Sequence, residues 1–319
     1  MEVALKLEKS LRHDIEKGLE SKIKYIPSKY FYDETGSKIF QDIMKLPGYY
    51  LTRSEEEIFN LHGENIVSLL GNDIEIIELG AGDGLKTGIL MDNLIQSNYT
   101  FNYTAIDISQ KALNDLKNSF CFKFPGLSVK EKCGDYFEML HELNLQNNKR
   151  KVVLFLGSNL GNYTIKESVS FLKGLAGEMN KGDLLILGLD LKKDPETILK
   201  AYNDSRGITK QFNINLLNRL NKELGADFKP EQFEHVPYYN PVTGTAYSSL
   251  VSKCDQNVYF RFLDKSFSFD AWEAIHTEIS QKYDQKLIEK MSDESGFRVF
   301  QNFYDHRKYF TDTIWIKVN

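Results

Sequence analysis

The densest chemical signal in this chain is the stretch Ile76-Ile77-Glu78-Leu79-Gly80-Ala81-Gly82-Asp83-Gly84-Leu85-Lys86-Thr87. A short apolar run ends in three alternating glycines and passes into an amphipathic segment. Glycine permits a tight turn and lets backbone approach a ligand closely. The next apolar run ends at Asp107, where a carboxylate can accept hydrogen bonds from both hydroxyls of a ribose. The pattern predicts a nucleotide-binding loop; an ordinary tight turn is the competing reading. Charge selects among nucleotides. Glu78 and Asp83 would repel a pyrophosphate, whereas S-adenosylmethionine (SAM) brings an ammonium and a sulfonium that nearby carboxylates favour. After the third run, Gly134-Asp135-Tyr136 offers a carboxylate for an exocyclic amine and a ring for stacking on adenine. A helix-capping Asp beside a core Tyr would look the same. The fourth run ends in Phe155-Leu156-Gly157-Ser158-Asn159-Leu160-Gly161-Asn162-Tyr163. Its glycines leave room, and Asn162 can both donate and accept, although a Gly-rich loop with an Asn turn also fits.

These residues need a scaffold that brings strand ends together. Apolar runs at 74–79, 103–108, 127–132, 152–156 and 184–189 alternate with amphipathic stretches such as 84–97 and 109–119. That alternation predicts an α/β fold with a mostly parallel sheet covered on both faces. Residues 1–24 read as a charged amphipathic helix with Leu5, Ile15 and Leu19 among the candidates for its buried face. Thr52-Arg53-Ser54-Glu55 has the pattern of a capping box opening a helix to about Leu70. After Asp190 the alternation stops. Helices are expected over 195–203 and 213–224, and strands over 248–252 and 258–262. A helix over 283–295 and strands over 298–304 and 313–318 then resume the pattern and complete seven strands, with one antiparallel strand at the edge. The expected organisation is a cofactor-binding domain of residues 55–193 and 282–319, with a second α+β domain, for the substrate, of residues 1–54 and 194–281.

Composition narrows the function classes. The net charge of −5 argues against an extended nucleic-acid surface. Cys121, Cys133 and Cys254 form no CxxC, and His235, His276 and His306 lack ligand spacing, so neither a disulfide framework nor a metal site is expected. The first twenty residues are charged throughout, and no run reaches the roughly 20 apolar residues of a membrane span. A cytoplasmic monomer without membrane or nucleic-acid partners is expected. The Lys149-Arg150-Lys151 and Lys192-Lys193 clusters read as solvated loop charges.

Several segments together resemble the histidine-specific Nα-methyltransferases, which make hercynine (Nα-trimethylhistidine) for ergothioneine biosynthesis. They are Lys29-Tyr30-Phe31-Tyr32-Asp33…Gly36-Ser37, Leu46-Pro47-Gly48-Tyr49-Tyr50-Leu51-Thr52-Arg53, Glu78-Leu79-Gly80, Gly134-Asp135, Phe155-Leu156-Gly157-Ser158, Gly161-Asn162, Ala201-Tyr202, Phe233-Glu234-His235-Val236 and Thr277-Glu278-Ile279-Ser280. The resemblance runs from about residue 11 to the C-terminus. It implies a class I, Rossmann-like SAM-methyltransferase fold and the cofactor SAM. It implies that Gly80, Lys86, Asp107, Asp135, Tyr136 and Gly157 hold the cofactor, with Tyr32 also close to the reacting groups. Asn162 and Tyr202 would bind the amino-acid carboxylate, and Tyr49, Glu278 and Ser280 the imidazole; Tyr32 and Asn162 would be the catalytic pair. The implied substrate is L-histidine, methylated on its α-amine. A neutral imidazole has one donor and one acceptor, so a carboxylate and a hydroxyl can read both nitrogens. Glu278 and Ser280, at i and i+2, share one face of an extended strand. One departure is Ser248, which stands where the family often has a bulky apolar residue. Other readings are methylation of another amino acid or small amine, or a SAM-binding protein without catalysis.

Overall fold

The computed structural model describes the backbone of residues 2–144 and 149–318 and the side chains of residues 10–143 and 149–318. Helices α1 (Glu2–Glu20) and α2 (Glu34–Met44) open the chain. Helix α3 (Leu51–Leu70) leads into β1 (Ile74–Leu79), α4 (Leu85–Gln96), β2 (Phe101–Asp107), α5 (Gln110–Lys123), β3 (Val129–Cys133), α6 (Tyr136–Asn144), β4 (Arg150–Phe155), α7 (Ile165–Gly177) and β5 (Leu184–Asp190). Then follow α8 (Pro195–Tyr202), α9 (Ile208–Leu224) and strands β6 (Phe233–Asn240), β7 (Thr245–Ser252), β8 (Gln256–Phe260), β9 (Lys265–Phe269) and β10 (Ala274–Gln281). Helix α10 (Gln285–Glu294) and strands β11 (Phe297–Tyr304) and β12 (Phe310–Lys317) end it. The chain divides into two compact units, Met1–Tyr50 with Lys193–Ser280, and Leu51–Lys192 with Gln281–Asn319.

The second unit is built on a seven-stranded sheet of order β11-β12-β5-β4-β1-β2-β3. Every residue of β1 and β5 is buried, as expected of strands covered on both faces. The expectation of an antiparallel edge strand needs correcting. The reversed strand is β12, which pairs antiparallel with both β11 and β5 and so lies second from the edge. Burial explains the placement: seven of the eight residues of β12 are buried, whereas β11 is mostly exposed or half-exposed and suits an edge. One face of the sheet packs Phe155, Leu172, Leu187 and Trp315 into a continuous core. Each such side chain contributes about 1.5–3 kcal/mol on burial. The indole N–H of Trp315 is satisfied by Thr313 Oγ1 at 2.9 Å.

The basic clusters also differ from expectation. Lys151 is the second residue of β4 and is buried. The Arg150 guanidinium donates to Gly182 O at 2.9 Å and Leu70 O at 3.2 Å. Lys192 pairs with Asp284 at 3.0 Å, and Lys193 lies over the Tyr50 ring, 4.4 Å from its centroid. These are side chains the fold uses. Where the chain re-enters the second unit, Lys282 and Asp190 form a fully buried ion pair at 2.8 Å. Removing either partner of such a pair leaves an uncompensated charge.

The first unit carries a three-stranded sheet of order β10-β7-β6 and the hairpin β8-β9. Local chemistry explains its Tyr32-Asp33…Gly36 segment. Asp33 caps α2 by accepting from the Gly36 amide at 2.6 Å, and the same oxygen accepts from Asn215 Nδ2 at 2.9 Å. A Cβ on Gly36 would overlap the Phe31 carbonyl oxygen. Asp33 and Gly36 thus make a capped, closely packed helix start.

Candidate functional site

In the second unit the C-terminal ends of β4, β1, β2 and β3 stand side by side, the edge at which open α/β sheets bind ligands. The Gly80 amide donates to Ile106 O at 2.8 Å, which pins the loop to the end of β2. Gly80 has φ +71°, a left-handed conformation that suits glycine, and a Cβ there would lie 2.9 Å from the Tyr136 hydroxyl. The space beside Gly82 is open: a Cβ there would meet nothing within 4 Å. Asp107 accepts from the Ser109 amide at 2.9 Å and lies 3.5 Å from the Gly82 amide, and burial raises its pKa. Asp135 caps α6, accepting from the Phe137 amide at 2.9 Å, and Tyr136 sits edge-on to Phe155 with centroids 6.0 Å apart. Open space beside the loop, with carboxylates on the next two strand ends and an aromatic hydroxyl over its first glycine, fits an adenosyl ligand.

The end of β4 is organised from a distance in sequence. Gly157, at φ +73°, donates its amide to Glu55 Oε1 at 2.7 Å, and Lys86 Nζ lies 2.7 Å from Glu55 Oε2. Burial works against the Lys86 charge, but the Glu55 carboxylate outweighs it and the Lys86 pKa is raised. Ser158 is buried at φ +57° and accepts from the Asp190 amide at 3.3 Å. Asn162 ends the short 3-10 turn Asn159–Asn162 and is half-buried.

Two expectations about acidic residues change here. Glu78 does not face a ligand. It is buried, with Thr87 Oγ1 donating to one oxygen at 2.6 Å and the Tyr103 hydroxyl to the other at 2.5 Å. Burial pushes its pKa up to about 7 against the pull of those hydrogen bonds. Glu78 ties α4 and β2 to the end of β1, so only the exposed Asp83 retains the repulsive role assigned to the loop. Glu55 is not the acid of a capping box. Helix α3 already includes Leu51 and Thr52, and the Glu55 carboxylate is occupied by Gly157 and Lys86. The signal that could have found it was position: Glu55 lies on the apolar stripe of Leu51, Ile58 and Phe59.

In the first unit, the Tyr202 hydroxyl donates to Ser280 Oγ at 2.7 Å. Glu278, two residues earlier on β10, accepts from the Ser248 hydroxyl at 3.2 Å. The hydroxyl of Thr277, the residue before Glu278, donates to Asn213 Oδ1 at 2.8 Å. Tyr32 and Tyr49 both pack edge-on to Phe40, with centroids 5.5 and 6.0 Å away; Tyr49 is buried and Tyr32 is 40 % exposed. Within this unit, then, Tyr202, Ser280, Glu278 and Ser248 make one polar cluster, and Tyr32 and Tyr49 share an aromatic one. Burial of His235 lowers its pKa to about 4, and Nε2 has no hydrogen-bond partner among the described residues.

Residues 11–317 match the family described as histidine-specific methyltransferases, SAM-dependent. The chain belongs to that family. Its cofactor is SAM, and the second unit has the class I methyltransferase fold, with the reversed strand β12 inside the sheet. The chain is similar to a Histidine N-alpha-methyltransferase of Mycobacterium tuberculosis, 36% identical over 279 residues that cover 88% of this chain and 86% of the relative. It is similar to a Histidine N-alpha-methyltransferase of Mycolicibacterium smegmatis, 35% identical with 91% and 89% covered. It is also similar to Ergothioneine biosynthesis protein 1 of Schizosaccharomyces pombe, 28% identical over 303 residues, 87% of this chain and 39% of that longer one. Membership of a SAM-dependent family disposes of the dinucleotide alternative, which the buried Glu78 alone would not have done.

Proposed function

We propose that this chain transfers methyl groups from SAM to the α-amine of L-histidine, ending at the trimethylammonium product hercynine, a step toward ergothioneine. The observation that carries this reading is the identity, over most of both chains, with relatives named Histidine N-alpha-methyltransferase. SAM, when bound, supplies an electrophilic methyl group. Gly80, Lys86, Asp107, Asp135, Tyr136 and Gly157 are the residues proposed to hold it. The protein's remaining task is alignment, since an in-line displacement gains chiefly from proximity and orientation.

The accepting amine must be neutral, so one proton leaves its ammonium form before each transfer. The proposed role of Asn162 and Tyr202 is to hold the amino-acid carboxylate through neutral donors, so that no anion is placed to stabilise the ammonium form. Tyr32 would stand near the reacting groups, and Tyr49, Glu278 and Ser280 would read the imidazole. Two hydrogen bonds support the last assignment. Ser280 Oγ lies 2.7 Å from the Tyr202 hydroxyl; when substrate binds, that hydroxyl turns its proton to the carboxylate and the Ser280 hydroxyl donates to the ring, while Ser248 steadies Glu278, an acceptor. A donor beside an acceptor matches a neutral imidazole.

The test is incubation with SAM and each of the twenty amino acids, read by mass spectrometry. Histidine is expected to gain three methyl groups. Little product from histidine alongside clear product from another amine would overturn the substrate assignment. In the same assay Glu278→Ala is expected to lower kcat/KM for histidine by about 100-fold, the value of a hydrogen bond to a charged group. Calorimetry should show SAM affinity within about threefold of the parent; equal losses in both would make Glu278 a structural residue.

A further inference from the structure

Two carboxyl groups meet inside the second unit where the resemblance assigned no role. Asp312, on β12, is fully buried, opposite Gly188 of β5 on one side and Phe303 of β11 on the other. Among the described residues no N–H or O–H group reaches either of its carboxyl oxygens. The charged groups that act on it are Glu55 of α3 and Lys86 of α4. Its two strand neighbours, Gly188 and Phe303, do not titrate. Glu55 is itself 1 % exposed, with one oxygen taken by the Gly157 amide and the other by Lys86 Nζ. Gly188 makes room for it, because a Cβ there would overlap Glu55 Oε1.

An ionised Asp312 would be a buried anion without a donor, next to a second buried anion, and neither feature survives without compensation. One arrangement satisfies both groups: a single proton held between them. We propose that Asp312 keeps its proton and donates it to Glu55, so that the carboxyl pair carries one negative charge, which Lys86 neutralises, and Lys86 is thereby fixed beside Gly157. Burial, and then the charge of Glu55, hold the Asp312 carboxyl well above the usual carboxylate range, which agrees with the geometry. The trio carries no net charge. A cationic sulfonium donor therefore meets a fixed hydrogen-bonding frame rather than an exposed ammonium. Asp312 is a positioning residue, acting on the cofactor through Glu55 and Lys86, and this role rests on the reading of Lys86 as a cofactor contact.

Infrared spectroscopy of the full chain tests the proton directly. At about pH 9, where Glu78 is ionised, the parent should show the carbonyl band of a protonated carboxylic acid. The band should shift on 13C-aspartate labelling and be absent from Asp312→Asn. No such band, or one that survives in that variant, would overturn the proposal. Calorimetry with SAM adds a second readout. An Asn amide can donate to Glu55 as the proton does, so Asp312→Asn should bind SAM at least about tenfold more tightly than Asp312→Ala. Equal affinity in the two variants would refute the positioning role. Should Lys86→Met bind SAM as the parent does while the aspartate band persists, the cofactor reading of Lys86 would fail and the shared proton would stand.

Discussion

At the scale of residues, the same carboxylate can attract a ligand or hold a fold, and burial decides which. Glu78 follows an apolar strand and precedes a glycine loop, the place from which an acid would face a nucleotide. Its two oxygens are instead spent on Thr87 and Tyr103. This has a consequence for stability. Burial raises Glu78 from 4.5 to about 7. The fold therefore favours its neutral form, and the stabilisation it contributes is complete below about pH 4.5 and lost as pH rises through about 7. The shift corresponds to about 3 kcal/mol. Urea unfolding at about pH 5 and pH 8 should show the parent losing stability relative to Glu78→Gln, which stays neutral and keeps hydrogen-bonding capacity. Parallel pH profiles for the two proteins would mean that Glu78 is already ionised in the fold.

Elements were legible where their signal is local. The fully buried β1 and β5 read as strands from their apolar runs, and α4 from its position after the glycine turn. Strands β6 and β9 were not anticipated, because their buried and exposed positions mix with Pro237, Tyr238, Lys265 and Ser266. Helix α3 starts at Leu51 rather than at a Thr52 cap, because a Thr-x-x-Glu spacing can serve a cap or a distant partner, and Glu55 serves the partner. The Tyr32-Asp33…Gly36 segment is a feature of the element α2, whose cap and whose contact with the Phe31 carbonyl need a residue without Cβ. Gly36→Ala should destabilise the protein by about 1–3 kcal/mol, the usual range for overpacking. Substitution of the exposed Thr35 by Ala should stay within about 0.5 kcal/mol. Urea midpoints compare the two, and similar midpoints would refute the packing account.

At the scale of the whole molecule, ligand linkage separates the nucleotide readings. A ligand that binds the folded state at 100 times its Kd adds about 2.7 kcal/mol of stability. SAM at that level should raise Tm by about 5 °C, and NAD at the same concentration should leave it unmoved. A shift with NAD and none with SAM would contradict the family assignment. No helix among the described residues is long and apolar enough to cross a membrane. The net charge of −5 accords with a small-molecule substrate rather than a polyanion.

Periodicity and turn chemistry act over a few residues, so the strand–helix alternation and the glycine turn were legible in the linear chain. The longer motifs, read as a resemblance, determined the family. Tertiary structure alone decided which side chains meet. It put β12 inside the sheet, turned Glu78 inward, carried Glu55 across more than a hundred residues to Gly157 and set Asp312 among acceptors with no donor. The reason is physical: hydrogen bonding and the desolvation of charge depend on neighbours in space, and linear spacing does not encode distances between segments so far apart.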